Sequence, residues 1–416
     1  MYIQNRNDQN AIMLLMKTIV EVNSNNYAST GNIVLNIAKR ARQEGFKVYT
    51  CCRKSRVGLR YRYEDQIYIG TWLDRVISER LSYIFGLNGY FNVINTWLFI
   101  NKLKKIKPDL IHIHSMCDNY LNVDMFFSYI RKNKIPTIWT LHDNWAFTGR
   151  CAQFRCEKWA QGCGNCPHLE YFPASLFLDN TAKVWKKREK LYNSIHTMTI
   201  VTPSKWLSDL VRISLFKENH PIKVINNGIN LDIFRPVESS FRKDHQIEDK
   251  HMILAVAYFW DAGKGLYVFK ELAKRLPENY QIVMVGTNDE TDKELPDNIV
   301  SIHKTYNQEE LVKIYSCADL FVNPTTDENF PTVNMEALAC GLPVLTYATG
   351  GCAEIIDENS GSSVLSGDID ALEKEIIRIC ETKPYKKEDC INRASGFNMN
   401  DKFQEYVKLY NELLDR

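Results

Sequence analysis

One stretch of this chain, Ala318 to Ile356 (ADLFVNPTTDENFPTVNMEALACGLPVLTYATGGCAEII), leaves few folds open. The apolar run Leu320-Phe321-Val322 reads as a buried strand, and a polar loop from Asn323 to Asn329 follows it. Pro331 stands where a helix would start, a position that tolerates a residue without an N–H. The helix should run through Met335 to Ala339 and stop at Gly341, with Pro343 just beyond. A second apolar strand, Val344-Leu345, then leads to a glycine turn at Gly350-Gly351. Strand, loop, helix N-terminus and strand form the unit of a doubly wound parallel sheet, which aims free backbone N–H groups at a ligand anion. Two acids mark the place. Glu328 lies in the loop and Glu336 in the helix, an E-x7-E spacing that sets one beside the helix N-terminus. The other falls further in, where it could accept hydrogen bonds from a diol. Acids are also electrostatically comfortable near a helix N-terminus, so the pair alone reads equally well as two structural surface carboxylates.

The same alternation runs through the rest of the chain. A strand over Thr18 to Val22, a loop, Gly31 at the loop–helix junction, a helix to Gly45 and a strand from Lys47 make a β-loop-α-β opening that suits a substrate-cradling turn. The strand of DLIHIH places His112 and His114 on one face, and the strand Thr137 to Leu141 ends at His142-Asp143. A histidine at the carboxyl end of a parallel strand sits where open α/β sheets bind ligands, although a lone one there is more often structural. Farther on, the strand Met252 to Ala257 precedes Asp261-Ala262-Gly263-Lys264-Gly265, which places Lys264 at a strand–helix junction to meet a phosphate as a point charge. An isolated G-K-G carries little weight.

Two stretches stand apart from this frame. Trp72 to Ile106 mixes aromatics with bases in one or two helices, the pattern of a surface lying on a membrane interface or of core helices with snorkelling lysines. Cys151, Cys156, Cys163 and Cys166 fall in a C-x4-C-x6-C-x2-C loop, which leaves two readings open: a structural zinc, or reduced thiols packed under the loop. A closed set of four cysteines has no position free for catalysis.

The 416 residues, 45% apolar and 25% charged, are enough for two cores. The net charge of +2 hides an asymmetry: residues 1–236 hold 33 Lys+Arg against 18 Asp+Glu, and residues 237–416 hold 19 against 32. A basic half of that kind suits an anionic partner, whether a membrane surface, a lipid phosphate or a nucleic acid, and reads otherwise as a solvated basic face with no partner. No run approaches the length of a membrane span, and the short apolar segment Ala11 to Met16 reads as a loose extension rather than a signal peptide. Cytoplasmic residence is therefore expected.

In order along the chain, TGNI near residue 30, IHIH, TLHDNW, the cysteine insert, PSKW, NNGINLD, GKG and E-x7-E with TGG after it resemble the retaining GT-B glycosyltransferases of the family-4 (glycosyl transferases group 1) type. The resemblance covers nearly all of residues 17–414. The insert from Trp145 to Pro167 is similar to that of the capsule and exopolysaccharide subgroup. The resemblance implies an α/β fold of two Rossmann-like domains facing across a cleft. These are an acceptor-side domain over 1–236 with the insert at 145–167, a donor domain over 237–396, and a last helix in 397–416 that returns to the first domain.

It implies transfer of a UDP- or GDP-linked hexose to a hydroxyl of a lipid-linked or oligosaccharide acceptor, with retention, in surface polysaccharide biosynthesis. Membrane association on the inner face fits that acceptor. His142 and Glu328 would be catalytic, and Gly31 would lie near acceptor and donor phosphates. Lys264 and the helix start at Asn329, Phe330, Pro331, Thr332 and Val333 would hold the diphosphate, and Glu336 the ribose. The family's arginine five places before the lysine is Phe259 here, which puts a full diphosphate clamp in doubt. No D-x-D metal site is apparent, so no metal or other cofactor is expected for catalysis. A non-catalytic partner subunit and a sugar-nucleotide epimerase on the same fold are the alternatives. A nucleic-acid binder is disfavoured, since no recognition module accompanies the charge.

Overall fold

The computed structural model describes residues 16–60, 63–154, 156–216, 219–305 and 307–415. All but Met16 of the Ala11 to Met16 extension, and Arg62 of the basic run after residue 53, lie outside them. The chain divides into two compact units, one of residues 16–203, 207–225 and 403–415, the other of 204–206 and 226–402.

Unit 1 is built on seven parallel strands: β1 (Thr18–Val22), β2 (Lys47–Arg53), β3 (Gln66–Ile69), β4 (Leu110–Ile113), β5 (Thr137–Thr140), β6 (Met198–Thr202) and β7 (Ile222–Val224). Their order is β3-β2-β1-β4-β5-β6-β7, so the winding reverses between β1 and β4. Counting helices of two turns or more, α1 (Ala28–Gln43), α2 (Trp72–Phe85), α3 (Val93–Ile106), α4 (Val123–Asn133), α5 (Thr181–Tyr192) and α6 (Lys205–Ile213) make the crossovers. Every residue of β4, β5 and β6 is buried, as expected of strands covered on both faces. Helix α1 begins three residues earlier than its apolar pattern indicates, which puts Gly31 inside its first turn rather than at a loop junction. A Cβ on Gly31 would stand 2.9 Å from the Asn26 carbonyl carbon, so the glycine lets the preceding loop close onto the helix.

Unit 2 has six parallel strands, β8 (His251–Val256), β9 (Tyr280–Val285), β10 (Ile299–Ile302), β11 (Leu320–Asn323), β12 (Val344–Tyr347) and β13 (Gly361–Val364), ordered β10-β9-β8-β11-β12-β13. Helices α7 (Leu266–Arg275), α8 (Gln308–Cys317), α9 (Thr332–Ala339), α10 (Ile369–Thr382) and α11 (Lys387–Ser395) enclose two cores, one around Phe321, Met335 and Leu338, the other around Phe269, Leu320 and Ile376. The expected boundary at residue 236 shifts. Residues 226–236 join unit 2, because Ile229 exchanges backbone hydrogen bonds of 2.9 Å with Phe397 and Met399 and buries beside Phe234 in its core. The last helix, α12 (Met399–Leu414), is divided: its residues from Phe403 onward belong to unit 1, where Tyr406 and Tyr410 are buried.

Among its described residues, the cysteine insert carries only short 3-10 turns at Trp145–Phe147 and Lys158–Gln161. Two buried arginines hold it. Arg150 donates to the carbonyls of His168, Leu169 and Tyr171, and Arg188 donates to those of Trp145 and Thr148 while stacking 3.6 Å over the Trp145 ring. Charge neutralised by carbonyl dipoles takes the place of regular secondary structure.

Candidate functional site

In unit 2 the winding reverses between β8 and β11, and the segments leaving the carboxyl ends of these two strands hold the expected donor residues. Position follows from topology here: a switch point is where an open α/β sheet offers a crevice. Lys264 lies at the start of α7, where Gly265 takes φ +79°. A Cβ there would come within 2.7 Å of Pro324. That close approach lets the Gly263 carbonyl accept from the Thr326 amide at 2.9 Å and the Thr325 hydroxyl at 3.1 Å, joining the two loops. Lys264 Nζ pairs directly with the Glu328 carboxylate, both partly exposed. Burial works against the Lys264 charge, but Glu328 outweighs it and raises the amine above its ordinary range.

Behind the pair stands α9. Pro331 occupies the cap position itself, one residue earlier than its expected place inside the helix. It offers no side-chain acceptor, so the first-turn N–H groups of Thr332, Val333 and Asn334 point out of the helix end as an anion seat. The Gly350-Gly351 turn backs this loop. A Cβ on Gly350 would fall 1.7 Å from the Glu328 carbonyl oxygen and one on Gly351 2.3 Å from that of Asn329, so only glycine fits. Next to the pair, burial pushes the Cys352 thiol up and keeps it protonated. One turn into α9, Glu336 faces the Tyr315 hydroxyl at 3.3 Å. Burial pushes its carboxyl up to about 7, against the opposing hydroxyls of Tyr315 and Thr332. A carboxyl served only by hydroxyls in a dry site holds its proton more tightly than a free one and keeps capacity to accept from further hydroxyls once ionised. Phe259, in place of the family's arginine, is exposed on the loop after β8.

In unit 1 the strand register brings a different set together. Glu21 of β1 and His112 of β4 are direct neighbours across the pair, and His114 follows on the same face. Glu21 Oε2 accepts at 2.9 Å from His114 and lies 3.0 Å from His112, while the Tyr410 hydroxyl donates to Oε1 at 2.6 Å. His112 also meets the Thr140 hydroxyl at 2.8 Å, and His114 Nδ1 lies 3.0 Å from Nε2 of His142, with the two rings stacked. Burial would raise the Glu21 carboxyl, but His112 and the bonds from both imidazoles hold it well below the usual range. Burial, then His112, lowers His114 to about 4, against the pull of Glu21. His142, at the partly exposed end of the chain of rings, is held well below the imidazole range by burial and by its two histidine neighbours.

The network therefore works as an ionised acid, with His114 and His142 held as neutral rings leading outward. Glu21, Tyr406 and Tyr410 escaped the sequence reading. A glutamate inside the apolar run Ile19 to Val22 was the one available sign, and nothing local pairs it with a tyrosine 389 residues later.

The four insert cysteines line one small cavity of about 20 Å³. Gly162, Cys163 and Gly164 turn through positive φ, and the Gly149 N–H donates to Cys163 Sγ at 3.1 Å. Among the described residues, however, the group of three candidate ligands whose donor atoms lie within 4.8 Å of one another is Glu21, His112 and His114. The thiols share a cavity without being closed to that degree.

Two family descriptions match, Glycosyltransferase Family 4 over residues 30–233 and Glycosyl transferases group 1 over residues 237–396. The chain belongs to this family of group 1 glycosyl transferases, with the GT-B fold of two Rossmann-like domains. Over 324 residues it is 23% identical to WcaC of Escherichia coli K12, provisionally described as a colanic acid biosynthesis glycosyl transferase; the match covers 74% of this chain and 77% of that one. It is 28% identical over 212 residues to the N,N'-diacetylbacillosaminyl-diphospho-undecaprenol alpha-1,3-N-acetylgalactosaminyltransferase of Campylobacter jejuni, covering 48% and 56%. Anabaena Alr3699/HepE, solved in complex with UDP-glucose, superimposes with a TM-score of 0.67 at 13% identity, over 95% of this chain and 99% of that one.

Proposed function

We propose that this glycosyltransferase moves a hexose from a UDP- or GDP-linked donor to a hydroxyl of a lipid-linked saccharide, with retention of anomeric configuration, in surface polysaccharide biosynthesis at the inner face of a membrane. One observation carries the donor half of this reading: the Lys264–Glu328 pair lies in the loops at the uncapped start of α9, with Glu336 one turn behind. A donor diphosphate would take Lys264 from Glu328 and, lying along Asn329 to Val333, rest on the first-turn N–H groups that open α9. Glu328, released, would orient the sugar. The ribose hydroxyls would donate to Glu336 and favour its ionised form. Leaving-group charge would be met by Lys264 and the helix amides, so this chain's own groups supply the stabilisation that Phe259 cannot.

His142 would act on the donor sugar as a neutral hydrogen-bonding group, positioned by His114. Gly31 would serve the loop that approaches the acceptor. The acceptor half rests on likeness to the Campylobacter and Escherichia enzymes, whose names carry an undecaprenol diphosphate and a polysaccharide. For the insert, the four thiolates would hold a structural zinc, and metal analysis of the purified protein should find one per chain.

The test is a thermal-stabilisation screen of UDP- and GDP-sugars, followed by product analysis with a polyprenyl-diphosphate saccharide. Stabilisation by at least one donor, and transfer that His142→Ala abolishes without abolishing stabilisation, is expected. Stabilisation by no nucleotide, UDP and GDP included, would overturn the donor reading. Turnover of the donor to epimerised free sugar would overturn transfer.

A further inference from the structure

Helix α2 is patterned inside out, and α3 is apolar on its outer face as well as its inner one. The fully buried residues of α2 are Ser78 and Ser82, whereas Trp72, Leu73, Ile77 and Ile84 are exposed. In α3, Asn95 and Thr96 are buried alongside Phe99 and Leu103, while Val93, Ile94, Trp97 and Leu98 face solvent, Ile94 with 69% of its surface free. The inward polar groups are satisfied: Ser82 meets Asn119 at 2.8 Å, and the Thr96 hydroxyl donates to the Asn92 carbonyl at 2.7 Å. The inversion is therefore built in rather than a packing accident. A soluble helix turns its apolar stripe to the core, and one that is apolar on its outer face as well needs a second apolar medium.

The outward surface extends beyond the helices. The Leu176 N–H donates to the Tyr83 carbonyl at 2.8 Å, and Asn180 donates to the Phe85 carbonyl at 2.7 Å. These bonds dock the loop carrying Leu176 and Phe177, both exposed, against the end of α2. The surroundings are basic. Residues 72–107 hold six Lys+Arg against two Asp+Glu, and one of those acids, Glu79, is paired with Arg75. Leu98 also borders a groove of about 370 Å³ shared with Gly70, Thr71, Asn101, Lys102 and Lys105. An apolar stripe with tryptophans in it, next to a lysine-lined groove, matches the acyl–headgroup boundary of an anionic bilayer: rings and aliphatic chains enter and ammonium groups meet phosphate.

We propose that the α2–α3 face with the 171–178 loop is a bilayer-docking surface, in which Ile94, Trp97 and Phe177 insert while Lys102 and Lys105 bind anionic headgroups. This deepens the lipid-linked acceptor reading and rests on it for purpose, while the geometry belongs to unit 1 alone.

The full chain should float with phosphatidylglycerol-rich vesicles and much less with phosphatidylcholine vesicles. Ile94→Ser with Trp97→Ser should lower partitioning about a hundredfold or more, since two large apolar side chains no longer leave water for the bilayer. Lys102→Gln with Lys105→Gln should lower binding to the anionic vesicles by about tenfold and leave neutral ones unaffected. Every variant sits on the surface, and nucleotide stabilisation measured on the same samples reports separately on the donor site. Vesicle binding equal in wild type and variants would overturn the proposal. So would an absence of vesicle binding together with a dimer, seen by sedimentation, that Ile94→Ser dissolves, since the face would then serve a second copy of the chain.

Discussion

Each unit carries a shielded glutamate at its candidate site, and the two are driven in opposite directions. Glu21 in unit 1 is held well below the usual carboxylate range, whereas Glu336 in unit 2 is pushed up to about 7. Burial raises both. The difference lies in the partners: Glu21 has two imidazoles and a tyrosine hydroxyl within 3.0 Å, while Glu336 has only neutral hydroxyls. A fully served acid is a fixed structural charge. An under-served one keeps capacity for a ligand, and that contrast separates framework from binding site.

The strongest challenge to the contrast is to remove the served acid. Glu21→Ala should cost about 3–5 kcal/mol, because it leaves His112, His114 and Tyr410 buried without their common acceptor. Hydrogen exchange should then show lost protection in β1, β4 and α12 and little change in unit 2. A uniform loss, or none, would break the distinction. At the other site Lys264→Met should lower kcat by about 10²–10³-fold with the fold intact, the usual effect of losing one charged group that stabilises a leaving anion. Circular dichroism and thermal melting establish the intact fold.

Glu336→Gln should weaken donor binding by about tenfold or more above neutral pH, through loss of charge-assisted bonds to the ribose. Wild-type donor affinity should itself rise as pH increases through about 7, a slope that calorimetry would find and that the variant should lack. Stability moves the other way. A carboxyl whose folded pKa lies above its unfolded value of 4.5 stabilises the fold most below that value and loses the contribution as pH rises through about 7. The unliganded Glu336→Gln protein should therefore be more stable than wild type at pH 8, by about 3 kcal/mol, with most of that difference gone at pH 5.

Unit 1 has the opposite sign, since the lowered Glu21 and His114 give up their contributions as pH falls, His114 between about 6.5 and 4 and Glu21 below the ordinary carboxylate range. Acid should thus loosen unit 1 first in hydrogen exchange. The smallest effect is expected of Tyr410→Phe, about 1.5–3 kcal/mol for a hydroxyl that donates to the Glu21 carboxylate and meets His112, which denaturant unfolding would measure.

Much of the candidate site in unit 2 was legible because it is local. Lys264, Glu328, Pro331, Glu336 and the two glycines after β12 follow from strand–loop–helix alternation, and topology alone carries the loops after β8 and β11 to one switch point. Details slipped where a distant backbone decided them. Gly31 entered the helix because residues 25–26 fold back on it, and residues 226–236 changed units because Ile229 pairs with a segment 168 residues on. The basic aromatic stretch was ambiguous for a related reason. Periodicity shows that a helix has an apolar stripe without telling which way the stripe points, and in α2 and α3 serines and asparagines took the inside.

The sequence by itself determined two doubly wound halves, the family, and the order of the segments that meet at the unit 2 switch point, since each depends on patterns shorter than one βαβ unit. Tertiary structure decided the protonation tendencies of Glu21 and Glu336, the ring chain leading to His142, and the outward face of α2 and α3. These depend on which groups from far along the chain come within a few ångströms, and on how much water they exclude.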